Sequence, residues 1–175
     1  VRLGQAWGGP PLLAAVARWV RATLDRLAAS TPAGRHVPYE GRVPHIRPLL
    51  RHVAATLGPL ARAYLSPDAA LDGYRAFRLR PRLDLPTYPA AHFHHDRCGH
   101  RLKAYVLLHP VGDATHPLRV ALGSHRTLYY AHDAMPASRF TDAYVHANYA
   151  VASATGDAGD ALIFDTNAIH KASGA

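Results

Sequence analysis

Apolar residues in the first third of the chain recur at three- and four-residue steps: Leu12, Leu13, Val16, Val20, Leu24 and Leu27, with Arg18, Arg21 and Asp25 on the opposite face. That is the period of an amphipathic helix. Pro10 and Pro11 suit its start, and Ser30-Thr31-Pro32 its end. A connector rich in Pro and Gly covers 32–44. A second stripe, Leu49, Leu50, Val53, Leu57, Leu60 and Tyr64, predicts a helix over about 48–65, with Gly58-Pro59 expected to kink or split it. Ser66-Pro67-Asp68 reads as a capped turn.

From Gly73 onward the period changes. Short alternating or apolar runs at 74–79, 91–95, 102–108, 118–122, 149–154 and 161–164 predict strands. Turn residues at 112–113, 123–124 and 156–159 punctuate them. Two helices followed by many short strands predict an α+β chain: one domain, helical over about 1–72, with a jelly-roll or barrel core over about 73–175 and the helices packed outside.

Composition narrows the chemistry. The one cysteine, Cys98, excludes a disulfide framework and a cysteine zinc site. With no secretory leader pattern and no apolar run of membrane-spanning length, the expectation is a cytoplasmic protein without a membrane partner. The net charge of +8 raises nucleic acid as a partner. Yet every Lys or Arg except Lys103 and Lys171 is an arginine, these are scattered along the chain, and 75–80 is only a modest example of arginines interleaved with an aromatic, so nucleic acid is not expected. Glu40 is the only glutamate, so a carboxylate ligand in the second half must be an aspartate.

Against that background stands His94-His95-Asp96, answered 74 positions after Asp96 by His170. Two imidazoles and one carboxylate are the ligand set of a non-haem Fe(II) oxygenase. On a strand, His94 and Asp96 share a face and His95 takes the other. His170 follows the run Asp160-Ala-Leu-Ile-Phe-Asp-Thr-Asn and so ends or follows a later strand. Zinc would also accept these donors, and a cupin-like site would pair His92 with His94, although no glutamate follows to complete it. Cys98 has no triad pattern around it, and Leu-Gly-Ser-His lacks the second glycine of a nucleophile elbow. The glycines at 156 and 159 precede no Lys-Ser/Thr, so they make no phosphate loop.

Four blocks in order resemble the phytanoyl-CoA dioxygenase-like family of Fe(II)/2-oxoglutarate oxygenases. They are the His-x-Asp strand, the apolar strand Leu102-Lys-Ala-Tyr-Val-Leu-Leu108, the strand ending in Gly123-Ser124-His125, and Gly159-Asp-Ala-Leu-Ile-Phe-Asp-Thr-Asn-Ala-Ile-His170. The resemblance spans 91–170 and implies a double-stranded β-helix with His94, Asp96 and His170 on iron, 2-oxoglutarate and O2 as cosubstrates, and a small-molecule substrate. It also implies hydroxylation, because related halogenases replace the carboxylate with a small residue. The family places an arginine for the far carboxylate of 2-oxoglutarate one strand beyond the distal histidine. Here only Lys171-Ala-Ser-Gly-Ala175 follows, so the last strand is expected to lie beyond a chain that begins at Val1 rather than Met.

Lys103 is the internal cation considered in that arginine's place. In 102–108, Lys103, Tyr105 and Leu107 share one face, while Leu102, Ala104, Val106 and Leu108 make an apolar face suited to packing under helices. Lys103 and Tyr105 are therefore the expected cosubstrate contacts; the competing expectation is a strand-end lysine that snorkels to water. Two other functions stay open: a metal-binding β-helix domain without catalysis, and a basic polyanion-binding module.

Overall fold

Two long helices form where the apolar stripes predict them. The computed structural model describes residues 9–30, 37–39, 46–78, 89–96, 99, 101–127 and 139–172. Helix α1 is Gly9–Ser30 and α2 is Arg47–Tyr64. Val16, Val20 and Leu24 of α1 bury against Ile46 and Leu49, with Tyr74 and Leu108 packed on the same cluster. Helix α2 runs through Gly58-Pro59 rather than splitting there. Pro59 withdraws one backbone donor. Val53 and Leu57, on the preceding turns, are seated on Ala161 and Ile163, and that packing holds the helix against the strands.

Most strands are shorter than the sequence runs, while β8 extends one residue beyond its run. In chain order they are β1 (Val37–Tyr39), β2 (Ala76–Arg78), β3 (Phe93–His94), β4 (Leu102–Val106), β5 (Leu118–Ala121), β6 (Arg139–Phe140), β7 (Val151–Ala154), β8 (Ala161–Asp165) and β9 (His170–Ala172). Helix α3, Asp142–Asn148, lies between β6 and β7. All pairings are antiparallel. One sheet has the order β6-β3-β9-β5-β7, and β4-β8 and β1-β2 form two separate pairs. The chain is thus α+β, and among the described residues the sheets do not close into a barrel.

Register sets the layers. In β4-β8, Lys103 pairs with Phe164 and Tyr105 with Leu162, so these four share a face. The opposite face carries Ala161 and Ile163, covered by α2. Ala104 on that face is exposed, so the helical cover is only partial. In the five-stranded sheet, His94 pairs with both Arg139 and His170, placing these three on one face. The other face carries Phe93, Ala121 and Ile169, buried under Val145 of α3 and flanked by Phe140 and Tyr149. The Lys103 face meets the His94 face: the Lys103 ammonium reaches Asp96, and the Phe164 ring lies 5.0 Å from that of His170.

Four elements were not foreseen, and one of them, β9, opens at His170, after which no strand was expected within the chain. β1 falls in the Pro- and Gly-rich connector, and β6 and α3 fall in 127–148, read as loop. Helix α3 carried a legible signal, a Thr141 cap whose Oγ1 accepts the Tyr144 N–H, followed by Asp142 in the first turn. The expected turn through Cys98 and the segment 128–138 lie outside the described residues, apart from Gly99.

Candidate metal centre

His94 closes β3, and Asp96 lies two residues past the strand. The parity expectation still holds at the side chains, because Asp96 remains on the His94 side. Its N–H donates to the carbonyl of Thr166 at 3.1 Å instead of to a strand partner. Thr166 in turn donates its N–H to Arg101, and Asn167 bonds to Gly99. The segment holding Asp96 is therefore sewn to the turn that leads into His170. His95 points the other way and is buried, its ring bonded to the carbonyl of Asp96.

His170 follows β8, as its place after the run 160–167 suggested, and itself opens β9. The residue before it is fixed by Ser124. This buried hydroxyl donates to Ala121 O at 2.7 Å and accepts the Ile169 N–H at 2.8 Å. Gly123 makes that turn with φ of 83°, a conformation that L side chains rarely adopt. The Gly-Ser-His block thus supports the centre from behind, and no nucleophile is formed there.

His94 Nε2 and His170 Nε2 each lie 3.9 Å from Asp96 Oδ1. The two rings are 4.5 Å apart between centroids. The three donor atoms fall within 4.8 Å of one another, a group that can hold a metal ion. Ring nitrogens supply the fit test. His94 Nδ1 faces His92 O at 2.8 Å, and His170 Nδ1 faces Ala168 O at 2.7 Å. A carbonyl only accepts, so both Nδ1 atoms carry the proton and both Nε2 lone pairs turn toward Asp96. The donors present therefore fit a divalent metal of the iron or zinc kind.

Burial keeps these ligands ready. Desolvation lowers the pKa of His94 to about 4, with His170 and Arg139 adding to the fall. Desolvation likewise lowers that of His170. Both are neutral at pH 7, as ligation requires. For Asp96, burial by itself pushes upward. The Lys103 hydrogen bond and charge, with the two histidines, outweigh it and hold the carboxyl below its ordinary value.

Lys103 and Tyr105 both lie on the metal side. The Lys103 ammonium is 2.5 Å from Asp96 Oδ2, with its side chain 38% exposed. Tyr105 sits edge-on to Phe164 at 5.6 Å, one ring removed from His170. His92 is exposed, and its part is a backbone one, so the alternative pairing of His92 with His94 is not formed. Arg139 was overlooked. The register puts it directly beside His94, and its charge acts on both His94 and Asp96. A two-residue strand leaves no periodic trace that would have found it.

Comparison with known proteins returns no matching family model, curated protein or solved structure. No helix among the described residues is long and apolar enough to cross a membrane.

Proposed function

We propose that the chain is an Fe(II)/2-oxoglutarate-dependent oxygenase that hydroxylates a small molecule, built on a double-stranded β-helix. One observation carries this: the convergence of His94 Nε2, Asp96 Oδ1 and His170 Nε2, with each Nδ1 tied to a carbonyl. The meeting of two antiparallel sheets around that group supports the β-helix reading. So does the ordered set of four sequence blocks.

When bound, iron with 2-oxoglutarate and O2 supplies the oxidising power for a C–H bond. The residues do the rest. His94, Asp96 and His170 would hold the ion, as a set of three protein donors that leaves room for further ligands. Phe164 and Tyr105 wall the His170 side with apolar surface. Lys103 and Tyr105 are the proposed cosubstrate contacts.

The test is succinate formation from 2-oxoglutarate by protein loaded anaerobically with Fe(II) and then given O2. A slow uncoupled rate that disappears in Asp96→Ala is the expected result. Iron binding with no succinate, across a panel of small hydrophobic and acyl substrates, would replace the oxygenase with a metal-binding domain that lacks catalysis. Salt-sensitive binding to DNA would instead favour the polyanion module.

A further inference from the structure

Helix α2 reaches toward the metal centre through one hydroxyl. Its last residue, Tyr64, donates to Asp165 Oδ2 at 2.7 Å, across 101 positions of sequence. The Asp165 hydrogen bond, with burial and the carboxylate charge, raises the Tyr64 pKa above its ordinary 10.0, so the hydroxyl keeps its proton at pH 7. Apolar packing does not account for the ring. Leu57 is buried, but beyond Pro59 both Leu60 and Tyr64 are exposed, at 44% and 49%. Pro59 also withdraws a backbone donor just ahead of this last turn. The end of α2 therefore meets β8 through a polar contact, where its buried stripe gives out.

Asp165 passes that contact on. Its Oδ1 accepts the Asn167 N–H at 2.8 Å, and its carbonyl accepts the Ala168 N–H at 3.0 Å, which folds 165–168 into a turn. Two members of the metal group lean on this turn. The Thr166 carbonyl accepts the Asp96 N–H at 3.1 Å, and the Ala168 carbonyl lies 2.7 Å from His170 Nδ1. The competing reading is a plain tether, with Tyr64 pinning α2 to β8 for stability alone. Both Asp165 oxygens are taken, and that separates the two. The terminal torsion of an aspartate is soft. Without the hydroxyl on Oδ2 the carboxylate is free to turn, and the turning loosens its grip on the Asn167 N–H. The disturbance then enters the turn that carries both ligands.

We propose that Tyr64 is a positioning residue of the metal centre, acting through Asp165 and the 165–168 turn on Asp96 and His170. The inference rests on the metal reading above and goes beyond it: the last turn of α2 belongs to the support of the centre. Linkage makes the effect reciprocal, so a bound metal tightens the docking of that turn. A direct partner of a metal ligand contributes about 10- to 100-fold in affinity. Tyr64 stands further out, where changes along a bonded network shift binding by about 2- to 30-fold.

Calorimetric titration with Co2+, a stable stand-in for Fe(II), tests it. Tyr64→Phe keeps the ring and removes the hydroxyl. It should weaken Co2+ binding by about 2- to 30-fold and speed hydrogen exchange at the Asn167 and Asp96 amides of the metal-free chain. Asp165→Asn keeps an acceptor for the Asn167 N–H and can donate its amide to the Tyr64 oxygen, so it should stay closer to wild type than Asp165→Ala. In the Asp165→Ala background, Tyr64→Phe should cost nothing further, because the hydroxyl works through that carboxylate. Leu60→Ala, on the same helix end, should leave Co2+ affinity within about twofold. A lower urea midpoint in Tyr64→Phe with unaltered Co2+ affinity would make Tyr64 a tether and overturn the proposal. Full additivity of Tyr64→Phe with Asp165→Ala, or an equal loss in Leu60→Ala, would overturn it too. Each of these results, in a wild-type chain that binds Co2+, overturns this inference alone. A wild-type chain that binds no Co2+ overturns the metal reading as well.

Discussion

Two lysine–aspartate pairs flank β9, nearly equal in length and opposite in design. Lys103 lies 2.5 Å from Asp96 on one face of the sheet, and Lys171 lies 2.6 Å from Asp142 on the other. In the second pair the lysine is the buried member. Its side chain is 11% exposed and stands 4.5 Å over the Phe93 ring, while Asp142 is largely in water. In the first pair the carboxylate is the more buried member, and its other oxygen looks at two imidazoles. Lys171 is held by the Phe93 ring beneath it and the Asp142 carboxylate at its tip, so its pair acts as a clasp between β9 and α3. Lys103 shares its partner with a potential metal, so its pair is open to exchange. The surroundings of the aspartate, more than the length of the bond, decide what an ion pair is for.

The sharpest way to break this comparison is to remove each aspartate in turn. Asp96→Ala should weaken Co2+ binding beyond the roughly 100-fold upper range of outer-shell mutations, because it deletes a ligand outright. Asp142→Ala should leave that affinity within about twofold, since it touches only the clasp. Equal losses would erase the distinction.

On stability, Phe93→Ala should cost about 3–5 kcal/mol in urea unfolding, because this ring is fully buried beneath Lys171. Ser124→Ala should cost about 1–3 kcal/mol, since it strands the buried Ile169 N–H. Its effect on Co2+ affinity would show how firmly the hydroxyl sets His170. Lys171→Met should cost about 1–2 kcal/mol and Lys103→Met less than about 1 kcal/mol. A larger cost at Lys103 would make the open pair the structural one.

The smallest effect is in pH. The folded pKa of His94 is about 4 against an ordinary value of 6.5, and that of His170 is lowered too. As pH falls from 6.5 toward 4, the unfolded chain takes up protons that the folded one refuses, and metal-free stability declines over that window. Asp96, also lowered, extends the loss below its ordinary value of 3.8. Urea midpoints at pH 7 and pH 5 should converge in His94→Ala relative to wild type, and an unchanged difference would contradict the burial argument.

What could be read in advance follows from the range of the forces involved. Helix stripes at Val16, Val20 and Leu24 repeat over many turns, so α1 was plain in the sequence. The face shared by Lys103 and Tyr105 was readable because a five-residue strand displays its alternation. His94, Asp96 and His170 were found through residue type and order. β6 was invisible because two residues carry no period, and Arg139 went unseen with it. The turn work of Ser124 and Thr166 depends on hydrogen bonds to residues 45 and 65 positions away, which no local pattern encodes.

β9 has the highest residue numbers of any described strand, yet it lies in the middle of its sheet, between β3 and β5. For a chain emerging from the ribosome, β3 and β5 are made early and then wait without the strand that joins them. During that interval both present open edges, which other strands can pair with. The arrival of His170 closes this gap and completes the ligand set in a single step. Premature termination anywhere between Ala121 and His170 would therefore release a chain with sticky sheet edges and without the third member of the candidate metal group. In translation, the exposed interval runs almost the whole length from β5 to β9, and it is there that a chaperone would have the most to protect.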